Sequence, residues 1–324
     1  MSAMAARRHL AHAPEWATII ARAYGHAPLY LSAEDERHPG VLPAFIVRRP
    51  LVGTIVSSMP FLDGGGPACE SPGTARHLVD RLVDHARLIG ARMVELRCAA
   101  ALDEAWTPRQ HKVNLTLALP SDPAALWSGF DRSVRNQVRK AERSGLRAAR
   151  EDRSALPALY DAYAERMREL GSPPHAPAFF RAVADLFDTR ARLVTVRKDG
   201  APIGGLIAIA HGDTLTVPWA SCRSAYRSLC PNMLLYWETL RAACADGFRR
   251  FDFGRSTRGS GTWRFKRQWG TVEEPLFWYQ VPLDGRAPDV AAGGAAGRLS
   301  ACWRRLPLGL TRRLGPSLRR YLVQ

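Results

Sequence analysis

Apolar and polar positions recur along the chain with two periods, and these periods predict its helices and strands. Apolar residues spaced by three or four positions predict amphipathic helices with one buried face. Helices are predicted at 14–24, 75–89, 155–170, 178–187 and 232–245. Short runs that alternate or stay apolar predict strands. Strands are predicted at 42–48, 52–58, 93–97, 113–119, 192–197, 203–210, 214–220 and 250–253.

The order of these elements occurs twice, although the residues themselves do not repeat. Each half contains helices, an antiparallel meander, a further helix and a last strand, which is an α/β (α+β) layer arrangement. We therefore expect a first domain at 1–130 and a second at 131–285, with a hinge-like break at 120–123. An Ala/Gly-rich linker is expected at 286–297. A basic tail follows it to residue 324, broken at Pro307 and Pro316.

The chain is strongly basic, but its overall charge says little by itself. A net charge of +16 favours nucleic acid, phosphorylated substrates or an anionic membrane as partners. Only four of the 46 basic residues are lysines, and the excess of Arg, Ala and Gly is typical of GC-rich coding. Local clusters of charge are therefore more informative than the sum.

Other features indicate a soluble, globular, cytoplasmic protein. Hydrophobic residues make up 46% of the 324 residues, which is ordinary for a chain that buries a core. No apolar run reaches the length of about 20 residues that spans a membrane, and the N-terminus lacks the apolar block of a secretory signal. The six cysteines form no C-x-x-C pair and have no nearby pair of histidines. We expect them to be reduced core thiols, with no metal site.

A basic helix is predicted at 131–145, with Asp131 as its N-cap and Gly145 at its end. Its polar face carries six residues: Arg132, Arg135, Asn136, Arg139, Lys140 and Arg143. The opposite face carries Val134, Val138 and Ala141. Such a face attracts phosphates or carboxylates. A solvated connecting helix remains the alternative interpretation.

The segment 251–270 joins a strand end to a loop rich in Gly, Ser and Thr, followed by an aromatic and basic stretch. Backbone N–H groups of such a loop can hold an anion or a developing oxyanion. Lys266 is one of the four lysines, which suggests that a compact ammonium is needed there. Asp252, at the strand end, is either a base or the cap of a turn. The motifs of kinases, Walker and Rossmann nucleotide sites, zinc proteases and serine hydrolases are absent.

Four segments together resemble the FemAB/FemABX family: 61–67, 135–145, 231–237 and 251–266. The resemblance is closer still to FemAB-related proteins found with the exosortase (XrtA, PEP-CTERM) system and exopolysaccharide clusters, and it covers 14–285. It implies two tandem GNAT-like acyltransferase domains facing a common cleft. The best-understood members transfer an amino acid from aminoacyl-tRNA to an amine of a peptidoglycan precursor.

The resemblance also implies roles for individual residues. Lys266 and Phe265 match the family's position near the reacting acyl ester and the tRNA phosphate. Lys266 and, from its place at the strand end, Asp252 are the expected catalytic residues. The expected substrate-binding residues are Asp63, Arg135, Asn136, Arg139, Arg227, Arg255, Ser256, Gly259, Gly261, Trp263 and Phe265. No cofactor is expected; the donor is aminoacyl-tRNA or another activated acyl group, and the acceptor a phosphorylated or nucleotide-linked envelope precursor.

Two other functions remain open at the level of sequence. An acetyl-CoA-dependent N-acetyltransferase needs the turn R/Q-x-x-G-x-G/A before a helix, whereas residues 224–232 contain Arg227 but no glycine. Pro231 also removes one amide donor from that turn. A non-catalytic protein that binds nucleic acid or membrane through its basic face is the other alternative. Classical Fem proteins carry a coiled-coil arm for tRNA, and no such heptad pair is visible here.

The last 27 residues, 298–324, contain seven arginines and no acidic residue. Leucines and aromatic residues lie between these arginines. We expect this tail to bind the inner surface of the membrane as two short segments. The alternatives are that it packs on the first domain or is disordered.

Overall fold

The computed structural model describes residues 9–33, 39–50, 53–102, 106–285 and 293–322. The chain forms two compact units. The first contains Met1–Val113, Glu274–Gly294 and Arg320–Gln324, and the second contains Asn114–Glu273 and Ala295–Arg319. These bounds differ from the predicted ones because 114–130 joins the second unit and 274–285 returns to the first.

Thirteen strands form two sheets in the described part of the chain. The strands are β1 (Ala27–Ala33), β2 (Gly40–Arg49), β3 (Gly53–Ser57), β4 (Ala68–Cys69), β5 (Met93–Cys98), β6 (Lys112–Ala118), β7 (Leu146–Glu151), β8 (Ala191–Lys198), β9 (Ala201–His211), β10 (Thr214–Cys222), β11 (Arg250–Thr257), β12 (Val272–Pro275) and β13 (Phe277–Pro282). Residue 52, where a strand was predicted to begin, lies outside the described residues.

The α-helices are α1 (Glu15–Tyr24), α2 (Pro72–Leu88), α3 (Pro123–Gly129), α4 (Arg132–Arg143), α5 (Leu156–Leu170), α6 (Pro177–Phe187), α7 (Pro231–Ala245), α8 (Gly261–Arg267), α9 (Gly293–Arg305) and α10 (Leu308–Arg319). All five helices predicted from apolar spacing are present, as is the basic helix. Short 3₁₀ turns, including Ser224–Leu229, connect some of the elements.

The first unit is built on the sheet β1-β2-β3-β5-β13, with β4 beside β2. Helix α2 connects β3 to β5, which lie parallel to each other. Leu78, Leu82 and Ala86 of its predicted apolar stripe are buried in the core of this unit, whereas Ile89, predicted as the last residue of the stripe, follows the helix and is exposed. Strand β13 belongs to this sheet because it pairs antiparallel with β5 from Phe277 to Pro282.

The second unit is built on the sheet β12-β6-β11-β10-β9-β8-β7. Strands β7 to β10 form an antiparallel meander. Helix α7 then connects β10 to β11, its parallel neighbour. Both units therefore contain a helix that joins two parallel neighbouring strands. This is the doubled order of elements that the hydrophobic pattern predicted.

The basic tail forms helices α9 and α10, which belong to the second unit up to Arg319. The predicted break at Pro307 is confirmed, since it separates the two helices. The prediction of a second break at Pro316 is wrong, because this proline lies inside α10. Close packing stabilises the helix there, because Gly315 lies directly against Pro174. A Cβ atom added to Gly315 would be only 2.3 Å from Cδ of Pro174. Residues 286–292 of the predicted linker lie outside the described residues.

Two properties of the described residues bear on the expectation of a chain with no membrane span and no metal site. None of their helices is both long and apolar enough to cross a membrane. No group of three or more His, Cys, Asp or Glu side chains in these ranges is arranged to hold a metal ion. Cys69, Cys98, Cys222 and Cys244 are buried, as expected for core thiols, whereas Cys230 is half-buried and Cys302 is exposed.

Candidate active site

The parallel strands β10 and β11 of the second unit part soon after they meet. Only Thr214–Thr216 of β10 pairs with Arg250–Asp252 of β11. Strand β10 nevertheless continues to Cys222, and β11 continues to Thr257. The pairing of β10 with β9 is also irregular, between Thr216 and Trp219. The backbone of β11 beyond Asp252 is therefore no longer covered by the ladder with β10.

A local turn in β11 lies where the two strands part. Gly254 has a φ of +73°, a conformation that glycine adopts without steric cost. The buried carboxylate of Asp252 accepts a hydrogen bond of 2.7 Å from the backbone N–H of Gly254. Asp252 was expected at the end of the strand, but β11 continues to Thr257. Its carboxylate thus holds the turn, which was one of its two predicted roles.

Lys266, on α8, contacts the same turn. Its Nζ atom donates hydrogen bonds of 2.9 Å to the carbonyl oxygen of Gly254 and 2.8 Å to that of Arg255. A compact ammonium can donate to two successive carbonyls, whereas the planar guanidinium of arginine presents its donors in a fixed fork. This contact gives a physical reason for a lysine at this position in a chain whose basic residues are mostly arginines.

Helix α8 was predicted only as an aromatic and basic segment, and polar contacts hold its N-terminal end in position. Ser260 caps it by accepting a hydrogen bond of 3.1 Å from the N–H of Trp263. The indole Nε1 of Trp263 donates to Glu273 at 2.9 Å, and Nε of Arg258 donates to the other oxygen of Glu273 at 2.9 Å. The hydrogen bond from Arg258 is the main reason that the pKa of Glu273 is lowered.

Aromatic rings fix the other side of α8. The ring of Phe265 lies 5.2 Å from that of Tyr236 on α7, and Tyr236 stacks on Phe253 of β11 with a separation of 5.3 Å. Burial raises the pKa of Tyr236, which therefore stays neutral. Lys266 thus extends from a helix whose neighbours are rigidly packed.

His175 also lies near this region and was missed by the sequence analysis. It is buried between α5 and α6, and its ring stacks on Phe179 at 4.5 Å. Burial, and secondarily the charges of Arg319 and Arg255, hold the pKa of His175 well below its usual value. A neutral imidazole therefore lies within electrostatic range of Arg255. The only signal in the sequence is its position among prolines at 173, 174 and 177.

The remaining predicted residues of this segment differ in exposure. Ser256 is buried, and its hydroxyl has no hydrogen-bond partner in the described part of the chain. Arg255 is partly buried, whereas Gly259 and Gly261 are exposed. Arg227 is also exposed and lies in the 3₁₀ turn before α7. Asp252 and Lys266 thus meet at Gly254. Arg227 belongs to a different element, the 3₁₀ turn before α7.

The basic helix α4 has the two faces that were predicted. Val134, Val138 and Ala141 are buried, and the helix packs against α7. Asn136 and Arg139 are exposed, and Arg135 is partly so. The remaining cations of the polar face, Arg132, Lys140 and Arg143, are exposed as well.

Two contacts of α4 orient it within the second unit. The guanidinium of Arg139 lies 5.6 Å from the centre of the Trp127 ring. Nε2 of Gln137 donates a hydrogen bond of 3.3 Å to Gln268, just after α8. The basic face is thus carried by a helix that contacts the segment following Lys266.

Asp63 is the one predicted site residue in the first unit. It is partly exposed and lies in the loop after β3, between the buried Leu62 and Gly64. The fully buried Arg97 supports this loop by donating a hydrogen bond of 2.9 Å to the carbonyl of Leu62. Glu95 holds Arg97 in turn, with a separation of 2.8 Å.

Comparisons with known proteins agree with this architecture. Residues 128–267 match the family model of the acetyltransferase (GNAT) domain. The crystal structure of FemX is similar at 14% identity, with a TM-score of 0.67, over 86% of this chain and 93% of that chain. L-PGS from Bacillus licheniformis is similar at 10% identity, with a TM-score of 0.53, over 90% of this chain and 97% of its own.

A tandem GNAT protein from the clavulanic acid biosynthesis pathway is also similar, at 10% identity and a TM-score of 0.53, over 81% of this chain and 85% of that one. No curated protein sequence matches the chain. The chain therefore has a two-domain GNAT-like α/β fold. The family match on the second unit identifies an acyltransferase domain.

Proposed function

We propose that this chain is a FemAB-like N-acyltransferase that forms an amide on an amine of a cell-envelope or exopolysaccharide precursor. The observation that carries the proposal is the contact of Lys266 with the carbonyls of Gly254 and Arg255, beside the point where β10 and β11 part. The similarity in fold to FemX extends over 93% of that protein, which favours a Fem-like enzyme among acyltransferases of this fold.

The proposed reaction is the attack of the acceptor amine on an activated acyl carbonyl. A C–N bond forms, the carbonyl oxygen becomes an oxyanion, and the bond to the leaving oxygen or sulfur then breaks. The amine gives up a proton, and the leaving group takes one. The positive charge of Lys266 stabilises the oxyanion, because a charge already held in position needs no reorganisation during the reaction.

Asp252 is the proposed base, through the carboxylate that also holds the N–H of Gly254. A carboxylate of the acceptor is the alternative base. In the same proposal Arg255, Ser256, Gly259, Gly261, Trp263 and Phe265 contact the reacting part of the substrates. Arg227 and, in the first unit, Asp63 contact more remote parts.

Arg135, Asn136 and Arg139 are proposed to bind phosphate groups, since guanidinium pairs well with phosphate oxygens. In this proposal, α4 binds either a donor such as aminoacyl-tRNA or a phosphorylated or nucleotide-linked acceptor. The association with exosortase (PEP-CTERM) systems is part of the proposal and rests on the sequence resemblance.

An acetyl-CoA-dependent N-acetyltransferase is the second candidate, and the acetyltransferase family match favours it. The segment before α7 supports it less. Cys230 has a left-handed backbone with a φ of +59°, and Pro231, the first residue of α7, has no N–H to offer a pyrophosphate.

The test compares Lys266→Ala and Lys266→Arg with Lys198→Ala, a lysine of β8 paired with Asp199. Untargeted mass spectrometry of envelope precursors from cells with each variant identifies the precursor that is modified. The rate at which the modified precursor forms is then measured for each variant. Loss of one electrostatic stabiliser of this kind costs about 10²–10³ in rate. We expect this loss for Lys266→Ala, a smaller one for Lys266→Arg, and none for Lys198→Ala. Wild-type turnover by folded Lys266→Ala protein would contradict the proposal.

A further inference from the structure

Exposed leucines are concentrated on the two C-terminal helices. Among the residues that the structure describes, Leu299 of α9 is 72% exposed, and Leu310, Leu314 and Leu318 of α10 are 41%, 43% and 45% exposed. Each of these side chains leaves apolar surface in water at a cost that grows with its area. Where such side chains lie together on one helix, the exposed apolar patch marks a site of association with a membrane or a protein.

The inward side of α10 is held firmly against the second unit. Thr311 and Gly315 are buried, and the helix packs on α5. Arg312 pairs with Asp161 at 2.5 Å, and its guanidinium lies 5.7 Å from the centre of the Tyr160 ring. The helix is therefore part of the folded unit, and its exposed leucines are not the result of an unpacked segment.

The leucines of α10 recur at every fourth position, so that Leu310, Leu314 and Leu318 form one stripe on the helix. This stripe borders the buried side of the helix, which carries Thr311 and Gly315, and its leucines are therefore partly exposed. Arg313 is exposed next to the stripe. On α9, Arg298, Arg304 and Arg305 are exposed as well.

Charge complementarity indicates what covers this surface. No Asp or Glu occurs between residue 290 and residue 324. In an amphipathic helix that lies on a bilayer, apolar side chains enter the acyl boundary while guanidinium groups pair with lipid phosphates. A nucleic acid would neutralise the arginines but leave the leucines in water, so a lipid surface fits better.

We propose that α9 and the leucine stripe of α10 dock the protein on a membrane surface rich in anionic phospholipid. The docking is peripheral and reversible, because short helices with a few cations bind without inserting. The proposal does not depend on the transferred group, since none of these residues belongs to the proposed active site.

The experiment measures co-sedimentation of the full chain with vesicles of phosphatidylglycerol and phosphatidylcholine, and with vesicles of phosphatidylcholine alone. The double variant Leu314→Glu/Leu318→Glu places two acids in the stripe. Leu88→Glu is the matched control, since Leu88 is an 83% exposed leucine on α2. Arg313→Gln tests the charge, and Arg81→Gln, an exposed arginine on α2, is its control. Circular dichroism verifies that each variant is folded.

We expect wild type to sediment with the anionic vesicles only, and high salt to reduce this binding. The double variant should bind at least tenfold more weakly, and Arg313→Gln about fivefold more weakly, as expected for one cation near an anionic leaflet. Both controls should bind like wild type. The proposal is overturned if wild type does not sediment, if it binds neutral vesicles equally, or if the folded double variant binds as wild type does. The proposal is also overturned if wild type does not bind vesicles and the double variant instead loses a dimer contact or tRNA binding that wild type has.

Discussion

Gly254 is the residue on which the geometry of the candidate site depends most directly. Its positive φ produces the turn in β11, and its carbonyl accepts one of the two hydrogen bonds from Lys266. An added Cβ would lie 3.4 Å from the carbonyl oxygen of Val217 and 3.9 Å from Nζ of Lys266. A side chain here would therefore change both the backbone and the surroundings of the ammonium.

Gly254→Ala should slow acyl transfer far more than its effect on stability explains. Alanine at a left-handed position costs about 1–2 kcal/mol. A small displacement of Lys266 should reduce the rate by a further factor on the order of tenfold to a hundredfold. Transfer rate and thermal midpoint are measured on the same preparations.

Gly247→Ala is the matched control for this substitution. Gly247 also has a positive φ, of +81°, and no described atom lies within 4 Å of the position its Cβ would take. It should lower the thermal midpoint by a similar amount and leave the transfer rate unchanged. Equal rates for the two variants would show that the turn at Gly254 does not position the site.

Glu273 gives a prediction about pH, because its carboxylate holds both Arg258 and Trp263. Its pKa is lowered in the folded chain, mainly by the hydrogen bond from Arg258, so the ionised form stabilises folding. This contribution is present above the ordinary pKa of about 4.3 and is lost as the pH falls through the lowered pKa of the folded state. Since the pair is partly exposed, it contributes less than about 1 kcal/mol.

Glu273→Gln should therefore melt below wild type at pH 7, and the difference should vanish at a pH below the lowered pKa. Differential scanning calorimetry across this range measures both midpoints. Glu142→Gln, at an exposed position of α4, should show no such convergence. A difference between Glu273→Gln and wild type that persists unchanged in acid would mean that the ion pair does not cause it.

At the scale of elements, α4 is the clearest case of a helix that presents a charged face on a thin apolar base. Replacing Arg135 and Arg139 together by Gln should weaken binding of tRNA and flatten its dependence on salt. Each lost phosphate contact removes about 0.7–0.9 from the slope of log affinity against log salt. Filter binding of tRNA at several salt concentrations measures this slope.

The control for α4 is Arg81→Gln/Arg87→Gln, two exposed arginines of α2. This pair changes the net charge by the same amount as the α4 pair. If both double variants shift the slope equally, the effect comes from the overall charge, and α4 is a solvated face.

The elements that the sequence predicted well are those with a complete apolar period. Helices α2 and α4 have such stripes, and their buried residues match them except at Ile89, which follows α2 and is exposed. Strand β1 was missed because none of its side chains is fully buried. Helix α3 was missed because Pro123 suggested a break, whereas with Asp122 as N-cap it is the first residue of the helix.

The candidate site was predictable only in part. Lys266 could be singled out because a lysine is rare in this chain, and Asp252 because it precedes a glycine-rich loop. Their contacts with Gly254 could not, because they depend on where β10 and β11 part. His175 was missed since its environment depends on how α5 and α6 fold against each other and on Trp219 of β10, which lies far along the chain.

At the scale of the whole molecule, two units with the same helix between parallel strands explain why the doubled pattern was visible in the sequence. The bounds of the units could not be read as easily. Strand β13 pairs with β5, which lies far earlier in the chain, and no local pattern records such a long-range pairing. The same holds for α10, which packs on α5 and belongs with it to the second unit.

The choice between acyl donors is also a property of the whole fold, and it gives the last prediction. A GNAT fold that uses acetyl-CoA holds the pyrophosphate with backbone N–H groups at a helix N-terminus. Here the 3₁₀ turn Ser224–Leu229, the left-handed Cys230 and Pro231 occupy that segment before α7. Titration calorimetry with acetyl-CoA should therefore show no micromolar binding to wild type. Micromolar binding that Arg227→Gln weakens would place coenzyme A at α7 and favour the acetyltransferase over the Fem-like enzyme.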